Sequence, residues 1–180
     1  MIHEILSAIV TDMNAYLRVK FNTREDKVLP SIIVDQDGSV VLREKDKIIL
    51  SVVNITKDGT RGGGPGSDPG NMPINLAVYI LFSAYFNDYM EALKFLSGVV
   101  GFFQAKGNIT HFNTPGLSPE VPPLGFEVVK LSFDEMSNLW SALGAKYMPS
   151  IIFRMRSVPI TDQRIRDVDP VISAIESKDI

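Results

Sequence analysis

Residues 73–107 read PINLAVYILFSAYFNDYMEALKFLSGVVGFFQAKG. Through Phe86 the run is apolar, rich in β-branched and aromatic residues and without alternation. That is the pattern of a strand buried on both faces, and so interior to a sheet. The second half predicts a helix. Asp88 and Glu91 have capping-box spacing at its start, and Gly107 stands just past its end. Tyr89, Ala92, Leu93, Phe95, Leu96, Val99, Val100, Phe102 and Phe103 leave only a narrow polar stripe at Asp88, Glu91 and Lys94. Such a helix is expected to be covered on most sides, by the rest of the chain or by another subunit. Gly98 and Gly101 are expected to admit a second backbone at close range.

Upstream, Ile2, Ile5, Leu6, Ile9, Val10, Met13 and Leu17 recur at helical spacing, predicting an amphipathic helix over about 2–20 that lies on the sheet. Residues 32–34 read as a short strand and Asp37-Gly38 as a turn. Lys47 to Thr56 reads as a longer strand, apolar on both faces and therefore interior. Downstream, residues 113–125 form a proline-rich traverse along the surface, and Phe126 to Leu131 is a strand. Ser132 and Glu135 form a second capping box, opening a helix with Met136, Leu139, Trp140 and Leu143 on one side and a stop at Gly144. From Ser150 to Ile160 the pattern alternates. Ile151, Phe153 and Met155 face one way, and Arg154 and Arg156 face a solvated or partner-facing side.

This order of elements predicts an α/β (α+β) fold: a mixed, largely antiparallel central sheet flanked by helices. One domain is expected over 1–160. A tail at 161–180 is expected to be extended, or a short helix in which Asp169-Pro170 precedes Val171, Ile172 and Ile175. The glycine-rich segment 59–71, GTRGGGPGSDPGN, can form neither helix nor ladder. It lacks the Gly-Lys-Ser/Thr ending of a phosphate loop and precedes a strand, so it reads as a connecting or docking loop.

Composition narrows the function further. The chain has 180 residues, a net charge of −3 and no cysteine. An acidic balance argues against a dedicated nucleic-acid binder. The missing thiols exclude disulfides, zinc-thiolate sites and cysteine nucleophiles. No signal peptide is read at the N-terminus, and the central uncharged run ends at Asp88, too short for a membrane span.

Residues for chemistry are scarce. His3 and His111 are the two histidines and have no metal-ligand spacing. No nucleophile elbow appears, and no carboxylate pair stands out beyond caps and turns. Asp35 and Asp37 before Gly38 faintly resemble a calcium loop, but the rest of the twelve-residue pattern is missing. Trp140 reads as core. The residues point to no catalytic group, metal or cofactor. A small-molecule enzyme would require a concave polar pocket that the fold brings together.

The chain resembles the tail-terminator, or cap, proteins of contractile injection systems, the phage-tail-like particles in which a sheath contracts around an inner tube. The resemblance rests on Met1-Ile2-His3-Glu4, Asn14-Ala15-Tyr16-Leu17, Val53-Asn54-Ile55, and Leu81-Phe82-Ser83-Ala84 with Phe86, Tyr89, Ala92 and Leu93. It continues through Phe102-Phe103-Gln104, Asn113-Thr114-Pro115-Gly116-Leu117, Asn138-Leu139-Trp140, Leu143-Gly144-Ala145-Lys146-Tyr147 and Pro149-Ser150. It covers roughly the first 160 residues.

That resemblance implies a structural protein rather than an enzyme: a ring, expected to be hexameric, that ends the inner tube and anchors the extended sheath at the distal end. The implied partners are the chain itself, the tube protein and the sheath protein, with no nucleic acid and no membrane span. The implied place is a particle assembled in the cytoplasm and then extracellular, or thylakoid- or membrane-anchored, depending on the system. Another ring component, tube-like or tube-initiating, is the alternative within the same particle. The candidate interaction residues are Arg61, Gly62, Gly63, Gly64 and Asp68 of the glycine loop, Arg154 and Arg156 of the last strand, and Arg164 and Arg166 of the tail. An edge strand or the tail is expected to join the sheath, and the glycine loop to reach toward the tube.

Overall fold

The computed structural model describes residues 1–35, 37–39, 41, 44–59 and 74–160. In chain order the elements are α1 (Ile2–Phe21), β1 (Val28–Pro30), β2 (Lys47–Lys57), β3 (Ile74–Tyr85), α2 (Tyr89–Lys106), β4 (Gly125–Val128), α3 (Phe133–Ala142) and β5 (Ser150–Ile160). The strands form one sheet in the order β1-β2-β3-β5-β4. Only the β1–β2 pair is parallel. The expected mixed, largely antiparallel α+β fold is therefore present, and the doubly apolar run of β3 occupies the middle of the sheet.

Because successive residues of a strand point to opposite faces, β3 needs cover on both sides. Val78, Ile80, Phe82 and Ala84 meet α1 and α2 on the first face, together with Ile48, Leu50, Phe153, Met155 and Val158. Rings dominate this layer. Phe82 packs edge-on against Phe103 and Phe153 at 5.8 and 5.9 Å, and Phe103 stacks on Phe126 at 4.4 Å. The second face is thinner: Ile49, Leu81 and Ile152 meet Trp140 of α3 and Ile33.

The covering of α2 comes in large part from α1. A Cβ placed on Gly98 would lie 2.6 Å from the Phe21 ring and 2.7 Å from a Leu17 methyl. The glycine thus admits side chains of α1 rather than a second backbone, which corrects the sequence expectation. The two helices are also joined by an ion pair between Lys106 and Asp12, with the Asn113 carbonyl accepting from the same ammonium. Asp88 caps α2 by accepting from the Glu91 N–H at 2.8 Å, but the Glu91 carboxylate turns to Lys94 instead of closing the box. At α3 both halves of the box form between Ser132 and Glu135, and Gly144 follows at φ 66°.

Two further expectations change. The strand before β2 is 28–30 rather than 32–34, because Asn14 of α1 fixes it from outside. The Asn14 carboxamide oxygen accepts from the Lys27 and Val28 N–H groups at 2.9 and 2.8 Å, and its NH2 donates to the Val28 carbonyl at 2.9 Å. The proline-rich traverse is not wholly superficial, since Leu117, Val121 and Leu124 are buried in the main core and Ile109 bridges to Leu124.

Gly98→Val should destabilise the domain by ~1–3 kcal/mol through overpacking against Leu17 and Phe21. A thermal unfolding midpoint equal to that of the parent would remove the close α1–α2 approach as a requirement. The α3 cap makes a prediction about pH. The Ser132 backbone N–H and hydroxyl hold the Glu135 carboxyl below its ordinary value of 4.5. The stabilisation is therefore fully present above that value and is lost as pH falls through the lowered one. Emission from Trp140, the single tryptophan, should shift toward that of exposed indole in acid. Glu135→Gln, which cannot titrate, should flatten the part of the shift owed to the cap.

Candidate functional site

On β5 the alternation places Ile151, Phe153 and Met155 in the main core and turns Arg154 and Arg156 to the α3 face. The arginines do not stand free. Arg154 lies 3.4 Å from Asp58, and Arg156 donates to Glu127 at 2.5 Å and approaches Asp58 at 3.9 Å. The Arg154 guanidinium also lies over the Tyr79 ring. Hydrogen bonding to Glu127 holds Arg156 more firmly protonated than an ordinary arginine. Asp58 is 3 % exposed and stands at the end of β2, where its N–H donates to the Asn75 carbonyl at 2.8 Å. The two arginines thus fasten the root of the glycine loop, a role sequence reading missed because Asp58 is 96 residues away from Arg154. Arg61, Gly62, Gly63, Gly64, Asp68, Arg164 and Arg166 lie outside the described residues.

The two edges of the sheet differ. At β1, α1 blocks the outer edge through the Asn14 bonds and Pro30 has no N–H to offer. At β4 no strand pairs with the outer edge of residues 125–128 among the described residues, although just before it Leu124 and Ile109 exchange both backbone hydrogen bonds. Since the Val129 N–H points inward to the Ile152 carbonyl, alternation leaves the Phe126 and Val128 N–H groups pointing outward. Beside this edge runs a groove of about 760 Å³, lined by Val100, Phe103, Gln104, Phe126 and Val128. A second groove, of about 700 Å³ and more apolar, opens at the end of the sheet where β3 leads into α2. It is lined by Val34, Tyr85, Tyr89, Ala145, Tyr147 and Met148 among others.

The first groove is bordered by the paired Glu127 and Arg156 and the second by Lys146, and among the described residues neither is lined by a histidine. His3 lies 3.9 Å from Glu4 and His111 stacks on Phe112. No group of three or more His, Asp or Glu could hold a metal ion among the described residues. No helix there is long and apolar enough to cross a membrane.

A five-stranded sheet with a helical layer on each face, one edge blocked and the other without a partner strand among the described residues, defines an α+β sandwich domain. The chain belongs to the Pvc16 N-terminal domain family, whose profile matches residues 4–174. Its fold is shared with the sheath/tube terminator of an extracellular contractile injection system, PVC, solved by cryo-EM in the extended state. That match has a TM-score of 0.65 at 16 % identity, covering 100 % of this chain and 63 % of that one. The cap of the anti-feeding prophage, a tube-terminating cap, matches with a TM-score of 0.58 at 13 % identity, over 97 % of this chain and 60 % of that one. The chain thus spans under two thirds of the length of these structures. No curated protein matches it in sequence.

Asp58→Asn should lower stability by about 2 kcal/mol, because it removes the buried carboxylate that both guanidinium groups share and leaves them only the half-exposed Glu127. Glu127→Gln, at a half-exposed carboxylate, should move the urea midpoint far less. Equal losses would mean that Asp58 is not the anchor of the cluster.

Proposed function

We propose that this domain is the cap of a contractile injection system: a ring of six copies that ends the inner tube and holds the last sheath subunits, with no catalytic step. The observation that carries the reading is the fold shared along the whole chain with two terminators, within a family whose profile matches nearly all of it. Contacts within a ring are head-to-tail and need two different patches on each subunit. The more apolar groove at the β3–α2 corner is the candidate for one of them.

The β4 edge is the place for a sheath strand to add, because its outward N–H groups are unpaired among the described residues and a groove that is part apolar (Phe103, Phe126, Val128) and part polar (Gln104, Glu127, Arg156) lies alongside for the incoming side chains. The glycine loop, rooted by Asp58, is the candidate for the tube. The particle so capped is of the kind that carries the terminators named above.

Full-length protein mixed with its tube and sheath proteins should bind one end of extended particles, visible by electron microscopy. Val128→Pro removes one outward N–H without touching the β5 pairing, and should abolish sheath retention while leaving tube-end binding intact. Replacing residues 59–71 by Asn-Gly should do the reverse. Protein that binds neither tube nor sheath would sink the proposal.

A further inference from the structure

The groove at the β3–α2 corner is apolar, and Tyr89 and Tyr147 on it are 64 % and 61 % exposed. Among the described residues no aspartate or glutamate lines it, and the lysine or arginine there is Lys146. The chain itself carries a segment of matching chemistry. Val171, Ile172 and Ile175 share one face at helical spacing, and Asp169 and Glu176 flank them. The family profile runs to residue 174, so this stretch begins within the length that the profile matches.

Register decides which subunit can supply it. Ser150 of β5 pairs with Ser83 near the groove, whereas Ile160, from which the tail departs, pairs with Ile74 at the opposite end of the sheet. At about 3.3 Å per residue the eleven residues of β5 separate the two by ~33 Å. Eleven further residues reach Val171, and fully extended they span at most ~40 Å. Return to the same subunit's groove would demand a nearly taut path over the protein surface. Where the tail leaves one end and the groove opens at the other, a neighbour set end to end meets it with slack.

We propose that residues 168–176 of one subunit seat in this groove on the next subunit, their isoleucines against Tyr89, Tyr147 and Met148 and their carboxylates toward Lys146. This rests on the ring reading above and supplies its head-to-tail contact. It gives the tail to the ring and leaves sheath capture to the β4 edge. A contact between opposite ends of one molecule closes only by rotation, as a ring requires.

Because the chain has no cysteine, the double substitution Tyr147→Cys with Ile172→Cys creates one designed pair, which bridges only if the two backbones come within disulfide range. In rings of the full chain, in solution or on tube ends, mild oxidation should give a ladder of linked subunits beyond the dimer, which neither single variant can produce. A bridge confined to one chain would return the tail to its own subunit and overturn the assignment, as would a ring that forms no bridge. Independently, Ile172→Glu with Ile175→Glu should raise the concentration needed for ring formation about tenfold or more, with the unfolding midpoint of the dispersed chain unchanged. Unaltered ring formation would overturn the assignment. Electron microscopy of the unsubstituted chain tests the ring reading separately: no ring withdraws both, and a ring without the bridge withdraws only the tail contact.

Discussion

The central strand cannot be left wet on either side. Leu81 and Phe82 are adjacent, point in opposite directions and are both fully buried, so two layers must form, one on each face of the sheet. Burying a side chain of this size contributes roughly 1.5–3 kcal/mol, and β3 presents such residues along most of its length. The layers are unequal. The α1–α2 pair brings a dense aromatic core, closed by the glycine that lets Leu17 and Phe21 of α1 press against α2. The α3 layer contributes one fully buried large side chain, Trp140, and a fringe of partly buried ones.

That inequality produces the surfaces available for assembly. Among the described residues a sparse second layer covers this face only in part, and two features lie there: the arginine cluster at one end and the apolar groove at the other. The arginines are tied down by Asp58 and Glu127, which turns a pair of surface cations into a brace for the hairpin that carries the glycine loop. The groove keeps its tyrosines exposed. Edges follow the same economy of backbone groups. An unpaired edge invites another strand. At β1 the protein closes that invitation with a single asparagine from α1, and at β4, among the described residues, no strand takes it up beside a groove of mixed polar and apolar lining.

A terminator has to stop growth in one direction while holding a neighbour in another. A domain with one sheet edge closed and the other without a partner strand among the described residues has the asymmetry that the proposed capping role would use. The shared fold of the two cryo-EM terminators extends over this chain at sequence identities of 16 % and 13 %.

The sequence by itself determined the elements whose signals are local. The apolar run of β3, the periodicity of α1, the Ser132–Glu135 box and the alternation of β5 are each written within a dozen or so consecutive residues, and each appears in the fold. It also placed β3 in the middle, because a strand apolar on both faces has nowhere else to go. Tertiary structure decided the rest. The first strand is 28–30 rather than 32–34 because Asn14, on a helix, supplies its outer hydrogen bonds. Gly98 serves Leu17 and Phe21, some eighty residues earlier in the chain. The arginines of β5 are braces because Asp58 arrives beside them from the end of β2. These are contacts between residues far apart in sequence, set by strand order and register, and no local pattern encodes which distant partner a glycine, an asparagine or an arginine will meet.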